Sequence, residues 1–236
     1  MLEKRGLLHR SEDKFILATE DLEAFLKAMA SSYQIILSAG ERLTQYGTTY
    51  LDTDDLGIYR HGTTNTLRQK VRLRRYPQRN LCFLEVKSKR PDGSSSKVRL
   101  KRPMERAALQ PEEHQFIQSH LSHYEPLLSP QVVVQYCRIS FLSKASMERM
   151  TVDFNIRYSH ESRVSQLGSS VVIEVKRPPS KPTSIAYDWL HKSGLSPASF
   201  SKFKFGLWLQ GHQFPVDVTP WTVTINDHPS EPCPYT

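Results

Sequence analysis

Between residues 68 and 101, basic side chains recur at every second position. The rows are Arg68, Lys70, Arg72 and Arg74; then Lys87 and Lys89 behind Glu85; then Lys97, Arg99 and Lys101. Alternation of this kind has one simple reading. In a β-strand, residues i, i+2 and i+4 share a face, whereas on a helix they scatter around the axis. The intervening positions are apolar: Leu67, Val71, Leu73, Leu84, Val86, Val98 and Leu100. The same two-sidedness returns in Tyr136, Arg138 and Ser140 against Cys137, Ile139 and Phe141, and in Arg149, Thr151 and Asp153 against Met150, Val152 and Phe154. Each strand therefore offers one face to be covered by apolar neighbours and one that must meet water or an anion.

Strands are expected over residues 13–17, 46–52, 65–76, 81–89, 96–103, 131–142, 148–156 and 170–176. Pro77-Gln78-Arg79-Asn80 and Pro91-Asp92-Gly93-Ser94 supply hairpin turns between consecutive runs. Thr19 offers a helix cap ahead of Leu22, Phe25, Leu26 and Met29 at helical spacing, and Pro111 opens a second helix through His120. Ser184 caps a short helix carrying Ile185, Trp189 and Leu190. These signals predict an α+β fold: a closed or nearly closed antiparallel β-barrel of about eight strands with flanking helices. Closing the sheet with its charged face inward makes a basic tunnel. Like charges crowded there repel one another, and an anionic ligand would offset the cost.

The 236 residues suit one domain over 10–210, followed by a proline-rich tail over 211–236 that reads as irregular. A net charge of +8 points to a polyanionic partner. Three widely spaced cysteines form no C-x-x-C pair and fit a reducing cytoplasm. No apolar run approaches the ~20 residues of a membrane-spanning helix, so no transmembrane segment is expected, and a membrane-bound partner stays open. Nucleotide-binding loops of the P-loop and Rossmann kinds are missing, and the nine histidines show no metal-binding spacing. Aromatic residues do not interleave with the basic rows as a base-stacking platform requires, so nucleic acid is not expected.

Handling a phosphate chain takes cations that clamp oxygens and a carboxylate that holds a divalent ion. Arg72, Arg74, Arg138 and Arg149 would give planar bidentate contacts, and Lys14, Lys87, Lys97 and Lys202 point charges. Glu174 stands out as an acid within the apolar run Val171-Val172-Ile173-Glu174-Val175-Lys176, and Glu85-Val86-Lys87 repeats its tripeptide. Plainer readings stand beside these. A basic row is also how a solvated face or a protected edge looks. Glu174 would also serve as the ion-pair partner of an arginine, Glu85 divides between ion pairing and metal contact, and Ser201-Lys202 reads as a capped helix start.

Glu12-Asp13-Lys14-Phe15, Tyr50-Leu51-Asp52-Thr53, Val71-Arg72-Leu73-Arg74, Leu84-Glu85-Val86-Lys87, Tyr136-Cys137-Arg138, Arg149-Met150-Thr151-Val152-Asp153, Ile173-Glu174-Val175-Lys176 and Phe200-Ser201-Lys202-Phe203, in that order, resemble the VTC domain. That is the catalytic domain of the vacuolar transporter chaperone complex, in the triphosphate tunnel metalloenzyme superfamily. The resemblance implies transfer of the γ-phosphate of ATP onto a growing polyphosphate chain with Mn²⁺ or Mg²⁺. By motif, Lys14, Arg72, Arg74, Lys87, Lys97, Tyr136, Arg138, Arg149, Ser201 and Lys202 would hold phosphates. Glu174 would hold the metal, with Glu85 as a second candidate, and Arg72, Arg74, Lys87, Arg138, Arg149 and Glu174 form the catalytic set. Where eukaryotic members carry a lysine two residues before the Phe-Ser-Lys serine, this chain has Ser199, so one phosphate contact is either missing or supplied by Lys204. Without the regulatory SPX domain or membrane helices, the resemblance implies a stand-alone, soluble form of the bacterial kind. Alternatives are a tripolyphosphatase or nucleoside triphosphatase in the same tunnel, or a non-catalytic polyphosphate- or RNA-binding module. The superfamily's hydrolases often show E-x-E-x-K near the N-terminus, and Glu12-Asp13-Lys14 is shorter.

Overall fold

The computed structural model describes residues 11–64, 67–106, 108–123, 127–160, 163–178, 184–213 and 225–228. In chain order the elements are β1 (Ser11–Ala18), α1 (Leu22–Met29), β2 (Tyr33–Ile35), β3 (Leu43–Asp52), α2 (Gly57–Thr64), β4 (Arg68–Tyr76), β5 (Leu81–Lys89), β6 (Ser95–Arg102), α3 (Pro111–Gln118), β7 (Ser129–Ser143), β8 (Arg149–His160), β9 (Arg163–Leu167), β10 (Ser170–Arg177), α4 (Ile185–Lys192), α5 (Lys202–Leu209) and β11 (Ile225–His228). The α+β class is as expected. The chain divides into two compact units, one over Gly47–Gln131 and the other over Ser11–Tyr46 with Val132 onward.

In the first unit, β3, β4, β5 and β6 pair in sequence order, all antiparallel. The turns are those their residues favour: Asn80 closes the β4–β5 connection in the left-handed region at φ 47°, and Gly93 does so between β5 and β6 at φ 81°. Leu51, Val71, Leu73, Leu84 and Val86 share the apolar face and pack with Ile58 of α2 and Ile117 of α3. Each fully buried aliphatic side chain there contributes about 1.5–3 kcal/mol. Asp52, itself buried, starts α2 by accepting from the Ile58 N–H at 2.8 Å and the Tyr59 N–H at 3.0 Å.

In the second unit the pairing order is β1, β10, β8, β7, with β2 on β7, β9 on β8 and β11 on β9. Phe15, Leu17, Val152, Ile173 and Val175 form its core with Phe25 and Met29 of α1 and Ala186 and Leu190 of α4. The register of β7 on β8 shifts between Gln135 and Cys137, and Asn155 adopts φ 50° at the matching stretch of β8, the signature of a β-bulge.

Three expectations need correction. Among the described residues the strand order within neither unit returns on itself, because β6 ends one order and β1 the other, so hydrogen bonding there does not draw the closed barrel. The tail is not wholly irregular, since Ile225–His228 pairs with β9. Thr19 does not cap a helix with its side chain: a 3₁₀ turn spans Thr19–Asp21 before α1 begins. Residues 65 and 66 of the strand expected over 65–76 lie outside the described residues. No helix among the described residues is long and apolar enough to cross a membrane.

Candidate functional site

Register converts the basic rows of the first unit into cross-strand levels. Arg72 lies opposite Glu85, and Glu85 opposite Arg99; Lys70 lies opposite Lys87, and Lys87 opposite Lys97. Glu85 is fully buried. Its Oε2 accepts from Arg72 Nε at 2.9 Å and Nη2 at 2.6 Å, and its Oε1 from Lys97 Nζ at 3.3 Å. Burial alone would raise the Glu85 pKa, but the charges of Arg72, Lys97 and Arg74 outweigh it and hold the carboxyl at about 2. Partial burial and the neighbouring Arg72 and Arg74 charges lower the pKa of Lys97, against the pull of Glu85. Arg74 is buried on the same face.

In the second unit, alternation and register place Lys14, Glu174, Thr151 and Ser140 in one level, with Lys176 and Arg149 in the next. Arg138 lies opposite Asp153. It donates from Nε to Oδ1 at 2.5 Å and from Nη2 to Oδ2 at 2.7 Å, and Lys202, brought by α5, reaches the same Oδ2 at 2.5 Å. Asp153 is buried, which would raise its pKa; Arg138 and Lys202 prevail and hold it at about 2. Burial would lower the Arg138 pKa, and Asp153 above all reverses this, keeping it well above the usual value. Tyr46 and Tyr136 stack at 5.1 Å between centroids, with the Arg138 guanidinium 5.3 Å and 5.5 Å from the two rings and Lys202 Nζ 4.4 Å from Tyr136. These cation–π contacts fix the cations from a second side.

Glu174 is paired with Lys176. Burial would again raise its pKa, but Lys176, Lys14 and Arg138 drive it well below the ordinary carboxylate value. Lys14 Nζ also donates to the Phe200 carbonyl at 3.1 Å and pairs with Glu12 at 3.3 Å. Arg149 is exposed on this polar face. Ser201 caps α5, its Oγ accepting from the Lys204 N–H at 3.3 Å, as the plainer reading had it.

The structure thus gathers Arg72, Arg74, Lys87, Lys97 and Glu85 on one face of the first unit, and Lys14, Tyr136, Arg138, Arg149, Glu174 and Lys202 on one face of the second. Sequence reasoning gave no role to Asp153 or Tyr46. Asp153 was visible as the third member of an alternating row, but its place against Arg138 depends on the register beyond the bulge.

The model of the VTC domain matches residues 9–209. The chain belongs to the VTC domain family. No curated protein sequence matches it. Among solved structures, its fold is similar to that of a candidate adenylate cyclase from Bacillus halodurans, at 12% identity over 83% of this chain and 95% of that one, with a TM-score of 0.51. A candidate adenylate cyclase from Vibrio parahaemolyticus matches at 13% identity over 86% of this chain and 99% of that one, with a TM-score of 0.49. VTC domain membership fits the triphosphate tunnel superfamily named by the motifs, and substrates of the triphosphate or polyphosphate type.

Proposed function

We propose that this VTC domain protein is a metal-dependent polyphosphate polymerase that moves the γ-phosphate of ATP onto a growing polyphosphate chain. The observation that carries this reading is the locking of cations by buried acids. Glu85 holds Arg72 and Lys97, and Asp153 holds Arg138 and Lys202. Charges fixed before substrate arrives need no reorganisation during reaction, which is how phosphoryl transfer is most cheaply accelerated. The tunnel expected of the family belongs to this proposal, supported by the basic face that each unit presents by itself. A cytoplasmic setting, where ATP is at hand, goes with it.

The chemistry asks little else of the protein. A terminal phosphate oxygen of the chain, already anionic, attacks the γ-phosphorus; the new P–O bond forms as the bond to the β–γ bridging oxygen breaks, and ADP departs. No proton has to be removed from the nucleophile. Arg138 carries five N–H donors, and Asp153 takes two of them, the one on Nε and one on Nη2, fixing the plane in which the guanidinium meets phosphate oxygens.

The donor set fits a divalent ion of the magnesium kind. Such an ion takes one or two carboxylates and completes its shell with substrate phosphates and water. Glu174 is a carboxylate kept ionised by its neighbours, and among the described residues no group of three or more His, Cys, Asp and Glu forms an all-protein cage. Glu174 would hold the Mn²⁺ or Mg²⁺, which when bound supplies charge neutralisation at the β- and γ-phosphates. Glu85, engaged at both oxygens, serves in this reading as the ion-pair partner of Arg72 and Lys97.

The test is incubation of the purified protein with ATP and Mn²⁺, with products resolved by gel and phosphorus NMR. Long polyphosphate plus ADP is expected, falling about a hundredfold or more in Glu174→Ala. Free phosphate alone would replace the polymerase by a hydrolase, and binding without turnover would leave an anion-binding module.

A further inference from the structure

Glu174, the carboxylate given to the metal, already has a cation of its own. Lys176 follows it by two residues on β10, so both side chains leave the strand on one face, and the lysine forms an ion pair with it. Lys14 and Arg138 add their charges to the same carboxylate. A divalent ion approaching Glu174 meets the Lys176 ammonium in its path, and two cations at contact distance repel. Lys176 has a second place to go. Glu12 lies directly opposite it on β1, with Oε2 4.0 Å from the Lys176 Nζ, and the lysine is half-buried on a flexible four-carbon stem. Thr151 lies opposite Glu174 on β8, and its Oγ1 is buried without a hydrogen-bond partner. Buried hydroxyls are rarely left so, and a Glu174 released from Lys176 is the acceptor at hand.

We infer that Lys176 is a resident counter-ion that competes with the divalent ion for Glu174, and that the ion binds firmly only once Lys176 has turned to Glu12 or to substrate phosphate. Phosphate favours that turn in two ways. It attracts Lys176 directly, and by engaging Lys14 it draws that lysine from Glu12, which Lys14 holds at 3.3 Å. The apparent affinity of a site falls with the fraction of molecules in which it is open. Ion and phosphate therefore favour each other's binding and are taken up together. This rests on the assignment of the metal to Glu174 and adds the residue that controls access to it.

The experiment is titration of the whole protein with Mn²⁺ alone, the free ion being read by electron paramagnetic resonance. Wild type is compared with Lys176→Met, Lys176→Arg and the double variant Lys176→Met/Glu174→Gln. Expected is Mn²⁺ binding tighter by about tenfold or more in Lys176→Met, wild-type affinity within about twofold in Lys176→Arg, and loss of the gain in the double variant. Misfolding does not produce a gain, and where circular dichroism shows Lys176→Met unfolded, Lys176→Gln takes its place. Unchanged or weaker binding in the folded variant, an equal gain in Lys176→Arg, or a gain that survives Glu174→Gln overturns the inference. ATP turnover measured in parallel keeps the two readings apart. Polymer formed by wild type and lost in Glu174→Ala, with no Mn²⁺ gain in Lys176→Met, sinks only the counter-ion; a gain without polymer sinks only the polymerase.

Discussion

Asp153 shows how one buried acid can set the behaviour of two cations. Its carboxylate is shared by Arg138 and Lys202, so its removal leaves two nearly buried positive charges facing each other. Breaking a buried pair in this way costs about 3–5 kcal/mol. Asp153→Asn, which preserves shape, is expected to lower the urea midpoint accordingly. Triphosphate should restore much of that loss, because an anion can stand in for the missing charge. Urea unfolding of wild type and variant, with and without triphosphate, reads both effects; a variant destabilised equally in either condition would show that Asp153 acts only through packing.

Placement of Lys202 depends on α5, and α5 depends on Gly206. A side chain at that position would collide with Val132 and meet the Tyr158 ring at 3.2 Å; glycine lets the helix lie directly on the strands. Gly206→Ala is therefore expected to destabilise by about 1–3 kcal/mol through overpacking, despite the better helix propensity of alanine, and to weaken triphosphate binding as Lys202 is displaced. Urea titration and calorimetry would show both. Elements differ in how openly the sequence declares them. β5 runs over Leu81–Lys89 as its alternation and flanking turns require, and Ser184 caps α4 through the Tyr187 N–H. α2 escaped because Gly57–Thr64 has no apolar repeat and two glycines; its start is set by the Asp52 carboxylate at the end of β3. β2, with three residues, and β11, with four, are too short for any periodicity to register. The faces of the candidate site were legible because period-two patterning fixes them. The pairings within a face, such as Asp153 with Arg138, were not, because strand register and the bulge decide them.

At the scale of the molecule, stability should follow pH through its buried acids. Glu85 and Asp153 titrate at about 2 in the folded chain, below the values near 4 of unfolded carboxyls. Groups lowered in this way stabilise the fold above the unfolded pKa and lose that contribution as pH falls towards the folded one. Each is worth on the order of 3 kcal/mol at neutral pH. Urea midpoints should hold steady from pH 7 to about 5 and then fall steeply towards pH 2. Glu85→Gln, already destabilised at pH 7, should show a shallower fall, and an unchanged profile would remove Glu85 from this role. A last consequence belongs to the lysines aligned across β4, β5 and β6. A fold that an anion stabilises opens more often when empty than when the anion is bound. Where cleavage follows the open population, proteases remove the empty molecules first. The lifetime of the protein in a cell would then rise and fall with the supply of the anion it holds.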